Sequence, residues 1–380
     1  MPPIVVTVVR RSQALCLLLL LASCGRHPAP GTGAPGTPTG EQKVVNLFIW
    51  SEYISPDALA SFTKQTGIKV NVNYFDSSEM LEGRMLTGHS GFDVVVPPAN
   101  FIHREIRSGA YLELDRSKLP NFAHLDPNLM SRVALSDPGN AHSVIYDWGT
   151  LGVAYNLQQT ESSAAGVSLH SWRAVFDVDS AQRLAKCGIG MVDSPVEVIR
   201  LMLLYLGKPI ETPSAQDLQD AQAQLLKVRP YVRLINSDLI GPLASGEICV
   251  GVTYNGEAIQ ARKRSREAGN GTALDFAVPD EGSLLWADLL AIPRDAPHPE
   301  NAHRLINFLM EPHIAALNTN LVGYANANSA ANPFVEPAIL ADPTVYFPAE
   351  IKMRLIAETE ETPEQARSFT RIWQKFKTGQ

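Results

Sequence analysis

The segment from Val44 to Val96 alternates strand-like and helix-like patterns, and this alternation is the strongest constraint on the fold. It predicts, in chain order, a strand at Val44–Trp50, a helix opened by Ser55-Pro56-Asp57 and ended at Gly67, a strand at 68–74, a helix from Ser77 or Ser78 to Leu86, and a strand at Phe92–Val96. Strand, helix, strand, helix and strand in this order predict a right-handed parallel sheet, and therefore an α/β fold.

Similar patterns continue along the rest of the chain. Further strands are predicted at Leu151–Asn156, Ile189–Val192, Ile248–Tyr254, Leu274–Val278 and Leu284–Ile292, with strong helical patterns at Val196–Leu206 and Pro299–Leu309. Alternating elements over roughly 330 residues exceed what one core comfortably holds, so two α/β lobes are favoured.

The N-terminal residues are typical of an exported lipoprotein. Arg10 and Arg11 precede the apolar run Ala14–Ala22, which is too short to span a bilayer and resembles a secretory signal. Leu21-Ala22-Ser23-Cys24 resembles the lipobox of bacterial lipoproteins, in which the cysteine becomes the lipidated first residue. The alternative is an ordinary signal peptide with an incidental cysteine. We predict a signal peptide at 1–23, lipidation of Cys24 and a flexible Pro/Gly tether at 24–43, outside the cytoplasm.

Charge and composition exclude several classes of function. The 32 Lys and Arg residues and the 39 Asp and Glu residues give a net charge of −7, with no basic run. Cleavage before Cys24 removes 23 residues and two arginines, so the charge becomes −9. Such a chain is a poor candidate for binding nucleic acid. The nine histidines are scattered without metal-binding spacing, so we expect neither a metal nor a cofactor.

Two of the four cysteines remain free to pair after export. Cys16 lies in the predicted signal and Cys24 is the predicted lipid site, which leaves Cys187 and Cys249. In an oxidising compartment these most simply form one disulfide, with a pair of buried thiols as the alternative. The disulfide would close a loop of about 60 residues and stabilise the fold by roughly 4 kcal/mol.

Three short clusters place an aromatic ring within three residues of a carboxylate. They are Trp50-Ser51-Glu52-Tyr53, Tyr254-Asn255-Gly256-Glu257 and Trp286-Ala287-Asp288. We expect them at strand ends, because ligands of open parallel sheets bind beyond the carboxyl ends of the strands. Aromatic faces attract cations and carboxylates pair with ammonium groups, so the clusters together suit a small alkyl ammonium ligand. The alternative for each cluster alone is a core ring beside a solvated acid.

Nine blocks spread over the chain in a fixed order carry a family resemblance. They are FIWSEYISPDALASF, TKQTGIKV, GFDVVVP, LDPNLM, GVAYN, CGIGMVDSP, GEICVGVTY, GYANAN and RIWQKFKTG. With these blocks, the chain from about Val44 to Gly379 resembles the polyamine-binding proteins of bacterial ABC uptake systems. The resemblance implies a two-lobed periplasmic binding fold, similar to type II, with mostly parallel sheets and a ligand cleft between lobes that closes by hinge motion. It assigns residues 44–147 plus about 267–316 to lobe 1 and 148–266 plus about 317–380 to lobe 2. It also implies pairing of Cys187 with Cys249.

The resemblance further implies a set of ligand contacts. These are Trp50, Ser51, Glu52, Tyr53, Glu197, Tyr254, Glu257, Trp286, Asp288 and Tyr324. Tyr254 stands where many members have Trp, and Glu257 stands where putrescine-type members have Asp. Pro98 replaces a serine contact, so that hydrogen bond is lost.

Ligand selectivity and some alternative functions stay open. Glu52 and Trp286 match spermidine-type members, whereas Ser194 lacks the extra carboxylate of that type and the cysteine pair matches putrescine-type members. The resemblance implies a monomeric periplasmic receptor for putrescine or spermidine that serves an ABC permease of the inner membrane. The alternatives are a polyamine sensor without transport, the same fold with another cationic ligand, and an enzyme, for which no nucleophile–base or metal pattern is present.

Overall fold

The computed structural model describes residues 41–163 and 166–380, and Glu41–Gln380 form one compact unit. The predicted signal peptide, Cys24 and nearly all of the tether lie outside the described residues. Within the described ranges, no helix is long and apolar enough to cross a membrane.

The described residues contain a mixture of strands and helices. The strands are β1 Val44–Trp50, β2 Lys69–Phe75, β3 Val94–Val95, β4 Ser143–Asn156, β5 Ile189–Val192, β6 Val232–Asn236, β7 Val250–Tyr254, β8 Leu274–Ala277, β9 Ser283–Ala291, β10 Ala325–Asn326 and β11 Leu355–Ala357. The α-helices are α1 Pro56–Thr66, α2 Ser78–Thr87, α3 Ala99–Arg107, α4 Pro127–Val133, α5 Leu157–Ser163, α6 Arg173–Phe176, α7 Val178–Leu184, α8 Pro195–Tyr205, α9 Ala215–Val228, α10 Ile240–Ser245, α11 Asn255–Ala268, α12 Pro299–Leu309, α13 Pro312–Val322, α14 Pro337–Leu340, α15 Ala349–Arg354 and α16 Pro363–Thr378. Short 3-10 helices lie at Arg116–Lys118, Pro120–His124, Pro138–Asn140, Arg229–Tyr231 and Ser329–Phe334.

The first parallel group of strands forms as the sequence predicts. β1 pairs in parallel with β2 on one side and β3 on the other. α1 connects β1 to β2 and begins where the Ser55 hydroxyl accepts a hydrogen bond from the Ala58 N–H, with Pro56 at the first helical position. It ends at Gly67, whose φ of 70° lies in the left-handed region that glycine adopts without strain.

β4 is a long, fully buried strand that runs through both parts of the sheet. Residues 143–150 pair antiparallel with β9, and residues 151–156 pair with β7 and β8. The strand order is β2-β1-β3-β9-β4-β7-β5-β6, with β8 and β10 beside β4 and β11 beside β9. β4 and β9 therefore connect the two parallel groups, and their central residues lie close to both. The limits of the two lobes stay a prediction.

The second parallel group consists of β6, β5 and β7. Cys187 and Cys249 precede the neighbouring strands β5 and β7 and form a disulfide with Cα atoms 5.4 Å apart, which confirms the predicted pair. The disulfide lies at the amino ends of these strands, whereas β7 reaches its carboxyl end at Tyr254. The disulfide therefore links β5 and β7 at the end of the second group that lies away from the predicted ligand contacts.

Two predicted strands need correction, and three strands, β6, β10 and β11, were not predicted. The strand expected at Leu151–Asn156 begins at Ser143, because burial on both faces removes the alternation that marks a strand start. The strand expected at Phe92–Val96 is limited to Val94–Val95. β6 was not predicted, because it combines one buried residue with partly exposed and exposed ones and lacks an apolar run.

Candidate functional site

Four aromatic rings form a continuous row that reaches from the first parallel group to the second. Tyr53 follows β1, Tyr324 follows α13, Trp286 lies on β9 and Tyr254 ends β7. Ring centroids are 5.7 Å apart from Tyr53 to Tyr324 and 4.8 Å from Tyr324 to Trp286. Trp286 and Tyr254 follow at 5.9 Å, perpendicular to each other. We call these four residues the aromatic row.

Two glycines make room for the rings of this row. A Cβ atom on Gly149 of β4 would lie 2.7 Å from the Trp286 ring and 2.3 Å from Asn255 Oδ1. A Cβ atom on Gly256 of α11 would lie 2.2 Å from the Tyr324 ring. Since real Cβ atoms do not approach other atoms so closely, both positions require glycine while the rings stay in place.

Asp288 lies at the Tyr53 end of the aromatic row and is 8% exposed. The Tyr53 hydroxyl and the Trp50 indole N–H face its carboxylate and lower its pKa, although neither makes a hydrogen bond of ordinary geometry. Burial is the larger effect and raises the pKa of Asp288 to about 7. A buried carboxyl group of this kind is stabilised in its charged form when a cation binds beside it.

Glu197 lies at the Tyr254 end of the row, in the first turn of α8. The Tyr254 hydroxyl donates a hydrogen bond to Glu197 Oε1 at 3.3 Å, and the Ser194 hydroxyl donates to Oε2. Burial raises the pKa of Glu197 to about 7, and the nearby charge of Glu361 adds to this rise. The row therefore has one acid beside each of its ends.

Glu257 lies in the first turn of α11, directly after β7. It is 8% exposed and accepts a hydrogen bond from the Thr253 hydroxyl. Burial raises its pKa to about 7. The pKa of Tyr324 is raised first by burial and then by the charges of Glu257 and Asp288, which places Glu257 beside the middle of the row.

Three of the predicted contacts lie at the margin of this arrangement. Trp50 ends β1, with its ring 4.4 Å from that of Phe75 and its indole N–H toward Asp288. Ser51 is exposed in the turn that follows. Glu52 is 66% exposed at a φ of 54° and pairs with Arg264 of α11 at 2.7 Å. The described structure thus groups seven of the ten predicted contacts around the row and leaves Trp50, Ser51 and Glu52 at its rim.

The expectation that all three clusters follow strand ends is wrong for Trp286 and Asp288. Both lie inside β9, where this strand pairs with β4 between the two parallel groups. Because β9 lies between the two parallel groups of strands, the middle of β9, rather than its end, faces a ligand bound between these groups.

Two buried acids near the row were not predicted. Asp147 of β4 is 1% exposed and is the register partner of Asp288. Glu358 is 8% exposed, and its backbone N–H donates to the Leu285 carbonyl at 3.1 Å. Burial, followed by the charge of Glu197, raises the pKa of Glu358 well above its usual range. An acid within an apolar strand is the signal that marks Asp147, whereas Glu358 lies in an acidic run that resembles a solvated surface.

The chemistry of the site suits a cation that is held without coordination to metal. Across residues 41–163 and 166–380, no group of three or more His, Cys, Asp or Glu side chains is arranged to hold a metal ion. In a site where aromatic rings alternate with carboxyl groups, the rings stack along the methylenes of a ligand and the carboxylates pair with its ammonium ends.

Known proteins match this chain over most of its length. It is 40% identical over 351 residues to a putrescine-binding periplasmic protein of Pseudomonas aeruginosa, which covers 92% of this chain and 96% of that protein. It is 39% identical over 347 residues to a putrescine-binding periplasmic protein of Escherichia coli, which covers 90% and 94% of the two chains. The solved spermidine/putrescine ABC transporter substrate-binding protein of Streptococcus pneumoniae superposes with a TM-score of 0.74 at 27% identity, covering 89% of this chain and 99% of that one.

These relatives confirm the resemblance and the two-lobed α/β fold inferred from the sequence. The sequence profile of the family described as bacterial extracellular solute-binding protein matches residues 57–347. Since this match covers well over half of the chain, the protein belongs to the bacterial extracellular solute-binding protein family.

Proposed function

We propose that the protein is the polyamine-binding component of an ABC importer and captures putrescine or spermidine between its lobes. The observation that carries this proposal is the aromatic row with an acid near each end, the buried Asp288 at one and the half-buried Glu197 at the other. The relatives bind putrescine or are named for spermidine and putrescine, which supports the same ligand class here.

The two-ended arrangement favours a ligand with charge at both ends. A methylene chain stacks on the rings, and each terminal ammonium has a carboxylate to pair with. A buried carboxylate without such a partner is unfavourable, so a ligand with one charged end leaves the other acid uncompensated. A sugar or a neutral amino acid does not carry a positive charge at each end, so it could not pair with both acids.

Glu358 supports the inclusion of spermidine in the range of ligands. The pKa of Glu358 is raised by burial and then by the charge of Glu197, so a second acid lies at the Glu197 end of the row. A triamine has a third ammonium to place there, whereas a diamine has none. We therefore propose that both putrescine and spermidine bind.

Calorimetry on residues 41–380 tests the proposal, after unfolding and refolding to remove any ligand that co-purifies. We expect putrescine and spermidine to bind, and butylamine, which has one ammonium, to bind at least 100-fold more weakly than putrescine. Absence of heat with putrescine, cadaverine, spermidine and spermine would refute the proposal. Equal affinity for butylamine and putrescine would refute recognition at both ends.

The location proposed for the receptor is the periplasm, with a lipid anchor at Cys24. The relatives are periplasmic proteins, which supports export, and the anchor rests on the sequence Leu21-Ala22-Ser23-Cys24. Fractionation of cells that express wild type or Cys24→Ser tests it. The wild type should sediment with membranes and the variant should be released, whereas a soluble wild type would refute the anchor.

Loss of putrescine uptake on deletion of the gene tests the transport role.

A further inference from the structure

Asp147 is a buried acid that the proposed contacts do not include. It is 1% exposed, and both of its carboxylate oxygens lack a hydrogen-bond partner among the described residues. Its register partner on β10 is Asn326, whose amide donates instead to the Thr319 hydroxyl at 2.8 Å. Its other register partner, on β9, is Asp288.

A β-bulge brings the two acids opposite each other. The pairing of β4 with β9 passes from Ile145 opposite Leu289 to Asp147 opposite Asp288, so Tyr146 is one extra residue on β4. Without the bulge, Tyr146 would face Asp288, and Asp147 would lie on the other face of the sheet. The Tyr146 hydroxyl donates to the Tyr53 carbonyl at 2.9 Å, which fastens the bulge to the segment after β1.

Asp147 lies on the face of the sheet that carries the site. Gly149, two residues further along β4, is the register partner of Trp286, which is two residues from Asp288 on β9. Alternate residues of a strand share a face, so Asp147, Gly149, Trp286 and Asp288 all lie on one side. Directly opposed residues of this kind have Cβ atoms about 5 Å apart.

The surroundings of Asp147 contain acids and phenols. The groups whose pKa the charge of Asp147 raises are Tyr53, Tyr146, Tyr324 and Tyr346, and Asp147 is itself affected by the charge of Asp288. Burial, followed by the charge of Asp288, raises the pKa of Asp147 well above its usual range. No Lys or Arg within residues 41–163 or 166–380 forms an ion pair with it. Two facing carboxyl groups in such a setting hold either a shared proton or a cation.

We propose that Asp147 and Asp288 together bind one ammonium end of the ligand, so that this end of the site has two carboxylates. The inference rests on the proposed function, since it assigns a further ligand contact in the same site. An ammonium group has three N–H donors and can reach both acids at once. On binding, it replaces the proton that the acids hold in the free protein.

Calorimetry on the same chain with Asp147→Asn tests the inference. We expect the Kd of putrescine and of spermidine to rise at least tenfold at pH 7.5, while the ligand-free variant stays at least as resistant to urea as wild type. Asp147→Leu removes the same charge with an apolar side chain of similar size and should also weaken binding. The matched control is Asp220→Asn on α9, a 40%-exposed acid, which should leave the Kd unchanged.

Proton release distinguishes a ligand contact from a buried acid of purely structural role. Titrations of wild type in phosphate and in Tris, which differ in ionisation enthalpy, should show more protons released per putrescine than those of Asp147→Asn. Kd values within threefold of wild type for a folded Asp147 variant, or equal proton release, would overturn the inference and leave the proposed function standing. A wild type that binds no polyamine would overturn both.

Discussion

Replacing Asp288 with asparagine should strengthen the ligand-free fold while it weakens polyamine binding. Burial raises the pKa of Asp288 from an ordinary 3.8 to about 7. Because the folded pKa lies above the unfolded one, the folded state holds the proton more tightly, and this stabilisation is complete below about pH 4 and lost as pH rises through 7. At pH 8 the buried charge lowers the free energy of unfolding by up to about 4 kcal/mol. Asparagine cannot ionise and avoids this effect.

The loss of affinity follows from the same carboxylate. Truncating one partner of a buried charged pair typically costs about 2–5 kcal/mol of binding free energy. That range corresponds to a rise in the Kd of putrescine by a factor between about 30 and several thousand. A variant that folds poorly would lose both stability and affinity. A variant that gains stability but loses affinity therefore identifies a side chain that contacts the ligand.

Two measurements check this prediction. Urea unfolding of ligand-free wild type and Asp288→Asn at pH 5 and pH 8 should give a higher midpoint for the variant, with the larger difference at pH 8. Calorimetry with putrescine at pH 8 gives the Kd of each, with Asp220→Asn as the matched control. A Kd within threefold of wild type would show that Asp288 does not hold an ammonium, and a lower urea midpoint at pH 8 would refute the burial argument.

Three further predictions concern the rings, the rim and the pH dependence of binding. Gly256→Ala should displace the Tyr324 ring and raise the Kd of putrescine at least tenfold. Gly83→Ala on α2 is the control, because nothing lies within 4 Å of the added Cβ, and it should leave the Kd unchanged. Equal Kd values for the two variants in calorimetry would contradict the ring geometry. Glu52→Gln should change the Kd less than threefold, because Glu52 is mostly exposed and paired with Arg264, and a tenfold loss would place Glu52 in the site. The Kd of putrescine should rise when the pH is lowered from 8 to 5.5. Each carboxyl group with a pKa near 7 that must lose its proton for the ligand to bind contributes a rise of about 30-fold. A Kd that calorimetry finds to be independent of pH would contradict this.

The elements that the sequence predicts well are those with local signals. Ser55 and Pro56 open α1 and Gly67 closes it, because a cap, a fixed φ and a left-handed residue act within one turn of helix. The first eight residues of β4 carry no such signal. They are buried on both faces, include Asp147, and owe their strand form to pairing with β9, which lies far along the chain.

The site divides in the same way. Rings and acids that follow β1 and β7 are recognisable from the sequence, because strand ends meet at one edge of a parallel sheet. The pairing of Asp147 with Asp288 depends on one extra residue in β4, and a bulge changes which face a side chain occupies without changing the sequence pattern. Glu358 depends on the return of the C-terminal segment beside β9 through β11.

Under the proposed function, the acids of the site also explain how a ligand would keep the lobes together. The ion pair between Glu52 and Arg264 joins segments assigned to different lobes, but both side chains are exposed, and such pairs contribute only about 0–1 kcal/mol. A ligand shifts a conformational equilibrium only by its difference in affinity for the two states. Under the proposed function, closing the lobes without ligand would leave Asp288 and Glu197 without a cation, so each would have to take up a proton or bear an unfavourable charge. A polyamine bound as proposed would remove that penalty at both ends of the aromatic row, so the acids that destabilise the empty closed form would make closure depend on the ligand.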